Sequence, residues 1–175
     1  MKSMMSHGSE NEIILRKAEA ADAEIAAYTH TVAWQQSYRG IFGEEYLQSK
    51  SAKIREQEFL KRIDQGKYHD YLIMEKQETI GILFLEEDDK NGMEIDSLYI
   101  IESYRNSGAG TKAVEFAVNI AKRSEKRGIY LWTLLCNKKA GKFYERNAFR
   151  TTGKKRTIYR GEAFAQIKYS RSLHL

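Results

Sequence analysis

In the stretch "ESYRNSGAGTKAV", residues 102–114, Arg105, Asn106, Ser107, Gly108, Ala109, Gly110 and Thr111 lie between an apolar run and an amphipathic one. A loop of this kind ahead of a helix turns successive backbone N–H groups toward an anion. The helix dipole favours the negative charge, and glycine lets the backbone come close. Arg105 and Lys112 add positive charge nearby, so the chemistry implied is retention of a phosphate or pyrophosphate. Gly108, Gly110 and Ala113 also match the G-x-G-x-x-G/A dinucleotide fingerprint by letter. That fingerprint needs its first glycine directly after the first strand and an acid closing the second. Here several residues intervene, and the following strand closes on Cys136 and Asn137. The P-loop pattern G-x-x-x-x-G-K-S/T is absent.

Proton-transferring groups flank the loop. Glu94 and Asp96 alternate along the run that leads into it, and a regular strand would put both carboxylates on the face of Leu98 and Ile100. Either carboxylate could serve as a base, and a solvated strand face is the competing role for both acids.

These residues need a scaffold, and with no proline in the chain its boundaries are marked by glycines and periodicity. A short strand is expected at Ile13 to Lys17, then a helix from Ala20 to Ser37 carrying Ala23, Ala26, Ala27, Thr31 and Trp34 near one face. After a break at Gly40 and Gly43, a helical stretch from Glu44 to Ile63, possible as two pieces, ends at Gly66. Asp70 to Glu75 and Thr79 to Leu85 read as a hairpin, and "EEDDKNG" turns the chain into a third strand, Met93 to Ile101. Ala113, Val114, Ala117, Ile120 and Ala121 make Ala109 to Lys126 an amphipathic helix with small residues for close approach to a sheet. "IYLWTLLC" reads as a strand buried on both faces, followed by a helix from Lys138 to Asn147 and a hairpin turning at Arg160 and Gly161.

The 175 residues suit one domain, residues 13–175, behind a polar tail over residues 1–12 that is expected to be disordered. No stretch has the length of a membrane span or a secretory leader, so a cytoplasmic protein with no membrane partner is expected. Cys136 is the single cysteine, which excludes an internal disulfide. His7, His30, His69 and His174 are scattered without metal-ligand spacing, and no metal is expected. The net charge of +5 favours anionic partners in general.

Arg105, Gly108 and Gly110 form R-x-x-G-x-G, which resembles the acetyl-CoA pyrophosphate loop of the GNAT superfamily of N-acetyltransferases. "LLCNKKAGKFYERNAF" resembles the family's next motif, an asparagine at a strand end and then a helix bearing Phe-Tyr. "AWQQSYRGIFGEEYL" and "TIYRGEAFAQIKY" extend the resemblance more loosely over nearly all of the chain after residue 12. The family often has proline before the loop, where Ser103 or a neighbour stands, and glycine before the phenylalanine, where Ala148 stands; both departures are expected to change turn geometry only.

The resemblance implies an α/β (α+β) fold with a mixed, mostly antiparallel central sheet of about six or seven strands flanked by about four helices. It implies acetyl-CoA as acetyl donor and no metal. The acceptor would be the amine of a small molecule or peptide, attacked directly in a ternary complex. Tyr144 would be the acid that protonates the departing thiolate, its reference pKa of about 10 keeping it protonated. Glu94 would be the base, directly or through water. Leu98, Tyr99 and Ile100 would offer backbone groups to pantetheine, Asn137 and Lys142 would contribute on the helix side, and residues 105–111 would hold the pyrophosphate. Trp34 and Tyr38, followed by Glu44 and Glu45, would build an aromatic and acidic acceptor pocket suited to a cationic amine. Splayed sheets in this family often lead to homodimers.

Two other functions compete. A protein that binds CoA without turnover, as a regulator, keeps the same fold. "KKRTIYRG" and "KRSEKRG" interleave basic and aromatic residues as nucleic-acid binders do, but Glu125 and Glu162 break them. No helix-turn-helix, zinc or RRM signature accompanies them, so the reading is against nucleic acid.

Overall fold

The computed structural model describes residues 12–173, so the tail expected at residues 1–12, Glu12 excepted, lies outside the described residues, as do His7 and His174. Seven strands form one sheet in the order β1-β2-β3-β4-β5-β7-β6. The strands are β1 (Ile13–Lys17), β2 (Tyr68–Glu75), β3 (Glu78–Glu87), β4 (Gly92–Ile100), β5 (Gly128–Leu134), β6 (Arg150–Tyr159) and β7 (Ala163–Ser172). Every neighbouring pair is antiparallel except β4 with β5, which run parallel. Five helices are described: α1 (Ala23–Tyr38), α2 (Glu44–Ser49), α3 (Ala52–Ile63), α4 (Ala109–Arg123) and α5 (Lys138–Arg146). The mixed, mostly antiparallel architecture expected from the sequence is the one observed. The stretch from Glu44 to Ile63 divides in two, because Ser51 opens α3 by accepting a hydrogen bond from the Ile54 N–H.

Local chemistry sets the remaining ends. The β2–β3 hairpin turns on Lys76 and Gln77, both at positive φ, as a tight two-residue turn demands even without glycine. A capping box between Glu19 and Asp22 opens the α1 segment, and Arg16 meets Asp22 at 2.7 Å.

The helices cover both faces of the sheet. Ala113, Val114, Ala117 and Ala121 of α4 lie in the main core with Leu83, Leu85, Met93, Ile95, Ile129 and Leu131. On the opposite face, Ala23 and Ala26 of α1 and Phe59 of α3 cover Leu72, Ile82 and Phe84. Arg62 fastens α3 to the sheet, its guanidinium reaching both oxygens of the buried Asp70 carboxylate at 3.1 Å and Asp96 at 3.3 Å. A third cluster, Trp34, Phe42, Leu47 and Leu134, fills the space over β5 and the terminal hairpin.

One strand departs from expectation. β5 is not buried on both faces: Ile129, Leu131 and Thr133 are buried while Tyr130 and Trp132 are half-exposed. Their rings lie under cations, Lys168 at 3.5 Å from the Tyr130 centroid and Arg156 at 4.3 Å from that of Trp132, so side chains from the hairpin do the covering that a helix would do elsewhere. Among the described residues, no helix is long and apolar enough to cross a membrane.

Candidate functional site

The parallel strands β4 and β5 are paired only at their starts, from Gly92 with Gly128 to Glu94 with Tyr130. Beyond Glu94, β4 keeps its ladder with β3 and β5 pairs only with β7, so a gap opens in the middle of the sheet. Register with β3 slips inside this gap: Ile95 faces Leu85 and Ser97 faces Phe84, leaving Asp96 as the surplus residue of a β-bulge. The bulge overturns the expected shared face. Glu94, opposite Glu86, and Asp96, bonded to Arg62 of α3, belong to the α1–α3 side. Leu98 and Ile100 pack with the α4 core, and Tyr99 returns to the α1–α3 side.

Backbone direction follows the same alternation. The Ile101 N–H donates to Ile80 of β3, so Tyr99 also turns its polar groups toward β3, while those of Leu98 and Ile100 point into the gap. Of the three residues expected to offer backbone groups there, Leu98 and Ile100 point theirs into the gap and Tyr99 does not.

β4 ends in a short 3-10 turn, Glu102–Tyr104, and the chain then enters α4 through Asn106 and Gly108, both at positive φ. Among the described residues, no acceptor meets any backbone N–H from Asn106 to Thr111; the first helical bond is that of Lys112 to the Gly108 carbonyl. Ser107 spends its hydroxyl on the Tyr104 carbonyl and does not cap the helix. A Cβ at Gly108 would meet nothing within 4 Å, so the cradle is open to one side. Gly110 has another purpose: a Cβ there would come within 3.1 Å of the Phe143 ring, so its bare backbone lets α4 and α5 approach each other.

The Arg105 side chain has partners its place in the loop does not announce. It donates from Nε to the Ile100 carbonyl at 3.0 Å and from Nη2 to Ser37 Oγ at 3.1 Å and the Ala33 carbonyl at 3.4 Å. Its backbone N–H is taken by Glu102. Arg105 straps the loop to α1 through Nε and Nη2, and Nη1 is the guanidinium nitrogen that makes no bond among the described residues.

Tyr144 reaches the gap from α5. Asn137 caps this helix by accepting from the Ala140 N–H at 3.1 Å. The far end closes with the Phe149 N–H on the Tyr144 carbonyl and the Ala148 N–H on that of Glu145, the paired bonds of a Schellman motif. Ala148 takes the left-handed conformation glycine usually supplies, φ 64°, so the turn keeps its geometry and the alanine carries the strain. Phe149, fully buried, sets its ring 5.7 Å from that of Tyr144. The Tyr144 hydroxyl has no hydrogen-bond partner among the described residues, and burial, with Tyr38 nearby, holds it protonated well above the ordinary range. Lys142 is exposed and lines a hollow with Glu145, Arg146, Arg150 and Thr151, to which no residue of the loop contributes.

At the closed end of the gap, burial and the adjacent Asp96 carboxylate raise the Glu94 carboxyl above its usual range. Tyr130 lies between Glu94 and Asp88. Asp96 is held by Arg62, which leaves Glu94 the less committed acid.

Trp34 and Tyr38, expected to line an acceptor pocket, lie in a packed aromatic cluster with Phe42, Tyr46 and Tyr99. Tyr38 and Tyr99 join hydroxyls at 3.2 Å, Tyr38 stacks on Phe42 at 4.5 Å, and Tyr46 closes on Trp34 at 6.1 Å. Glu44 and Glu45 are exposed, Glu44 bonding only to Gln48. The charged residue beside this cluster is Arg55 of α3, 9% exposed, with its guanidinium 4.8 Å from the Trp34 centroid and Nη1 2.9 Å from His30 Nε2. Sequence reasoning missed both Arg55 and His30. The available signal was spacing, since Arg55 and Phe59 stand one turn apart on the buried stripe of α3.

Residues 31–149 match the model of the acetyltransferase (GNAT) family. The PaiA N-acetyltransferase of Thermoplasma acidophilum, solved with coenzyme A, superposes with a TM-score of 0.78 at 21% identity over 93% of this chain and 99% of that one. A spermidine N-acetyltransferase chimera of Vibrio cholerae SpeG and hSSAT gives 0.70 at 18% identity, covering 91% and 94%. A putative streptothricin acetyltransferase of Bacillus anthracis, solved with acetyl coenzyme A, gives 0.59 at 25%, covering 65% and 67%. No curated protein matches the chain. The matched segment runs from within α1 through the gap, the cradle and Tyr144 to Phe149, and the chain belongs to the acetyltransferase (GNAT) family.

Proposed function

We propose that this acetyltransferase moves the acetyl group of acetyl-CoA to a primary amine by direct attack in a ternary complex. One observation carries the reading: consecutive free N–H groups from Asn106 to Thr111 open beside a gap in the sheet whose rim bears an unpartnered, protonated tyrosine hydroxyl. These residues fit a pyrophosphate, since the cradle is positively polarised, unblocked at Gly108 and flanked by the exposed Lys112. The relatives solved with coenzyme A and acetyl coenzyme A support the same donor.

When bound, acetyl-CoA supplies a thioester carbonyl and a thiolate leaving group. Leu98 and the N–H of Ile100, whose carbonyl already accepts from Arg105, offer backbone groups along the gap, and an N–H there stabilises the oxygen that becomes negative during attack. Glu94, through water, accepts the proton the amine nitrogen loses as its bond to the acetyl carbon forms. Tyr144 donates its proton to the sulfur as the C–S bond breaks, and solvent restores it. Burial supports both roles, because it keeps Tyr144 protonated and makes Glu94 a stronger base than an exposed carboxylate.

Calorimetric titration with acetyl-CoA, beside NAD and ATP, tests the donor. Selective binding of acetyl-CoA, lost in Gly108→Glu, is the expected result. Equal binding of all three, or none, refutes the assignment. An amine panel followed by thiol release then tests transfer.

A further inference from the structure

Arg55 is an unsatisfied cation packed beside Trp34, Tyr38 and Tyr99. Its side chain lies between α3 and α1, and its Nε is buried with no hydrogen-bond partner among the described residues. Nη1 is spent on His30 Nε2, and Nη2 makes no bond among the described residues. Among the described residues no carboxylate lies within ion-pair distance; Glu58, one turn along α3, is exposed. The neighbouring polar groups are the hydroxyls of Tyr38, Tyr46 and Tyr99, and His30, which is neutral because burial and Arg55 itself push its titration down. Arg160, from the β6–β7 turn, adds a second cation near the Tyr38 hydroxyl.

A buried guanidinium costs several kcal/mol unless an anion and hydrogen bonds compensate it. Stacking on Trp34 and one bond to a neutral imidazole leave two donor nitrogens over, in a fork that matches a carboxylate. Position makes this specific. His30 stacks on Tyr99 at 5.3 Å, and Tyr99 joins Tyr38, whose hydroxyl is close enough to Tyr144 to raise its titration. Arg55 therefore stands behind the aromatic wall, a short distance from the proposed acid.

We infer that Arg55 is a carboxylate seat and that the acceptor is a small primary amine bearing its own carboxylate, such as a free amino acid. The inference rests on the acetyl-transfer reading for the fate of the amine, though the seat itself does not. It sets this pocket against polycations, which Arg55 repels.

The test compares amino acids with their carboxamides and decarboxylated amines, by thiol release with acetyl-CoA and by direct titration. The wild-type protein is expected to favour the acid of at least one set by about tenfold to a hundredfold, the worth of a charge-assisted pair. Arg55→Met should erase that preference, lowering kcat/KM for the acid to that of its amide while acetyl-CoA affinity stays unchanged. Arg55→Lys, which keeps the charge and loses the fork, should retain part of it. Equal use of acid and amide, a common loss for both in Arg55→Met, or no carboxylate-bearing ligand bound at all overturns the seat. Binding of an amino acid that depends on Arg55, in a protein that does not bind acetyl-CoA, would sink the transferase reading and leave the seat standing.

Discussion

Arg105 Nη2 lies 3.1 Å from Ser37 Oγ, bridging the loop before α4 to the last turn of α1. The charge that marked the loop in the sequence thus acts as a strap. Arg105→Ala is expected to destabilise the fold by about 1–3 kcal/mol and to weaken acetyl-CoA binding by loosening the loop. The salt dependence of binding should not change, because no ion pair with the ligand is lost. Titration at two ionic strengths checks this, with Lys112→Ala as the contrast that should flatten the salt dependence.

Tyr144→Phe should lower kcat by about a hundredfold or more with acetyl-CoA affinity and melting temperature unchanged, because its hydroxyl bonds to nothing else described. Glu94 supplies the pH dependence. A raised carboxyl is protonated, and so inactive as a base, up to a higher pH than an exposed one. The acid limb of kcat/KM should therefore lie above the ordinary value of about 4.3 and disappear in Glu94→Gln. A limb unaltered in that variant would transfer the role elsewhere.

Gly110→Ala puts a methyl group 3.1 Å from the Phe143 ring. The expected cost is about 1–3 kcal/mol, with much of it recovered when Phe143→Leu is added. A double-mutant cycle of melting curves reads the coupling; strict additivity would show that the two helices do not meet through this contact.

Ala148→Gly should raise stability by up to about 1 kcal/mol, the relief of left-handed strain less the entropy glycine loses. Chemical denaturation with an unchanged m-value is the check.

Much of the fold was legible because its punctuation is local. Gly40, Gly43, Gly66 and Gly128 mark breaks that periodicity alone would blur, and the alanine stripe of α4 announced a helix laid on a sheet. What stayed hidden depends on partners. Tyr130 and Trp132 read as doubly buried because nothing in β5 tells that Lys168 and Arg156 cover them. The bulge at Asp96 exists only against the register of β3. In the site, the free N–H groups of the cradle were foreseeable from a helix start, whereas the direction of Arg105 was fixed by Ser37 and Ala33, far away in sequence. Arg55 escaped notice because charge on a helix is ordinarily solvated, and only its spacing with Phe59 argued otherwise.

Asp96 is one residue too many for its ladder, and that surplus sets which way the rest of β4 looks. Removing it would act as a half-turn of the strand's outer end. Leu98 and Ile100 would swing into the aromatic pocket and Tyr99 would go beneath α4, away from Tyr38, His30 and the wall around Arg55. Because of this one extra residue, an odd interval of five positions, Glu94 to Tyr99, looks out on the same side, so a single strand can floor two opposite chambers at once.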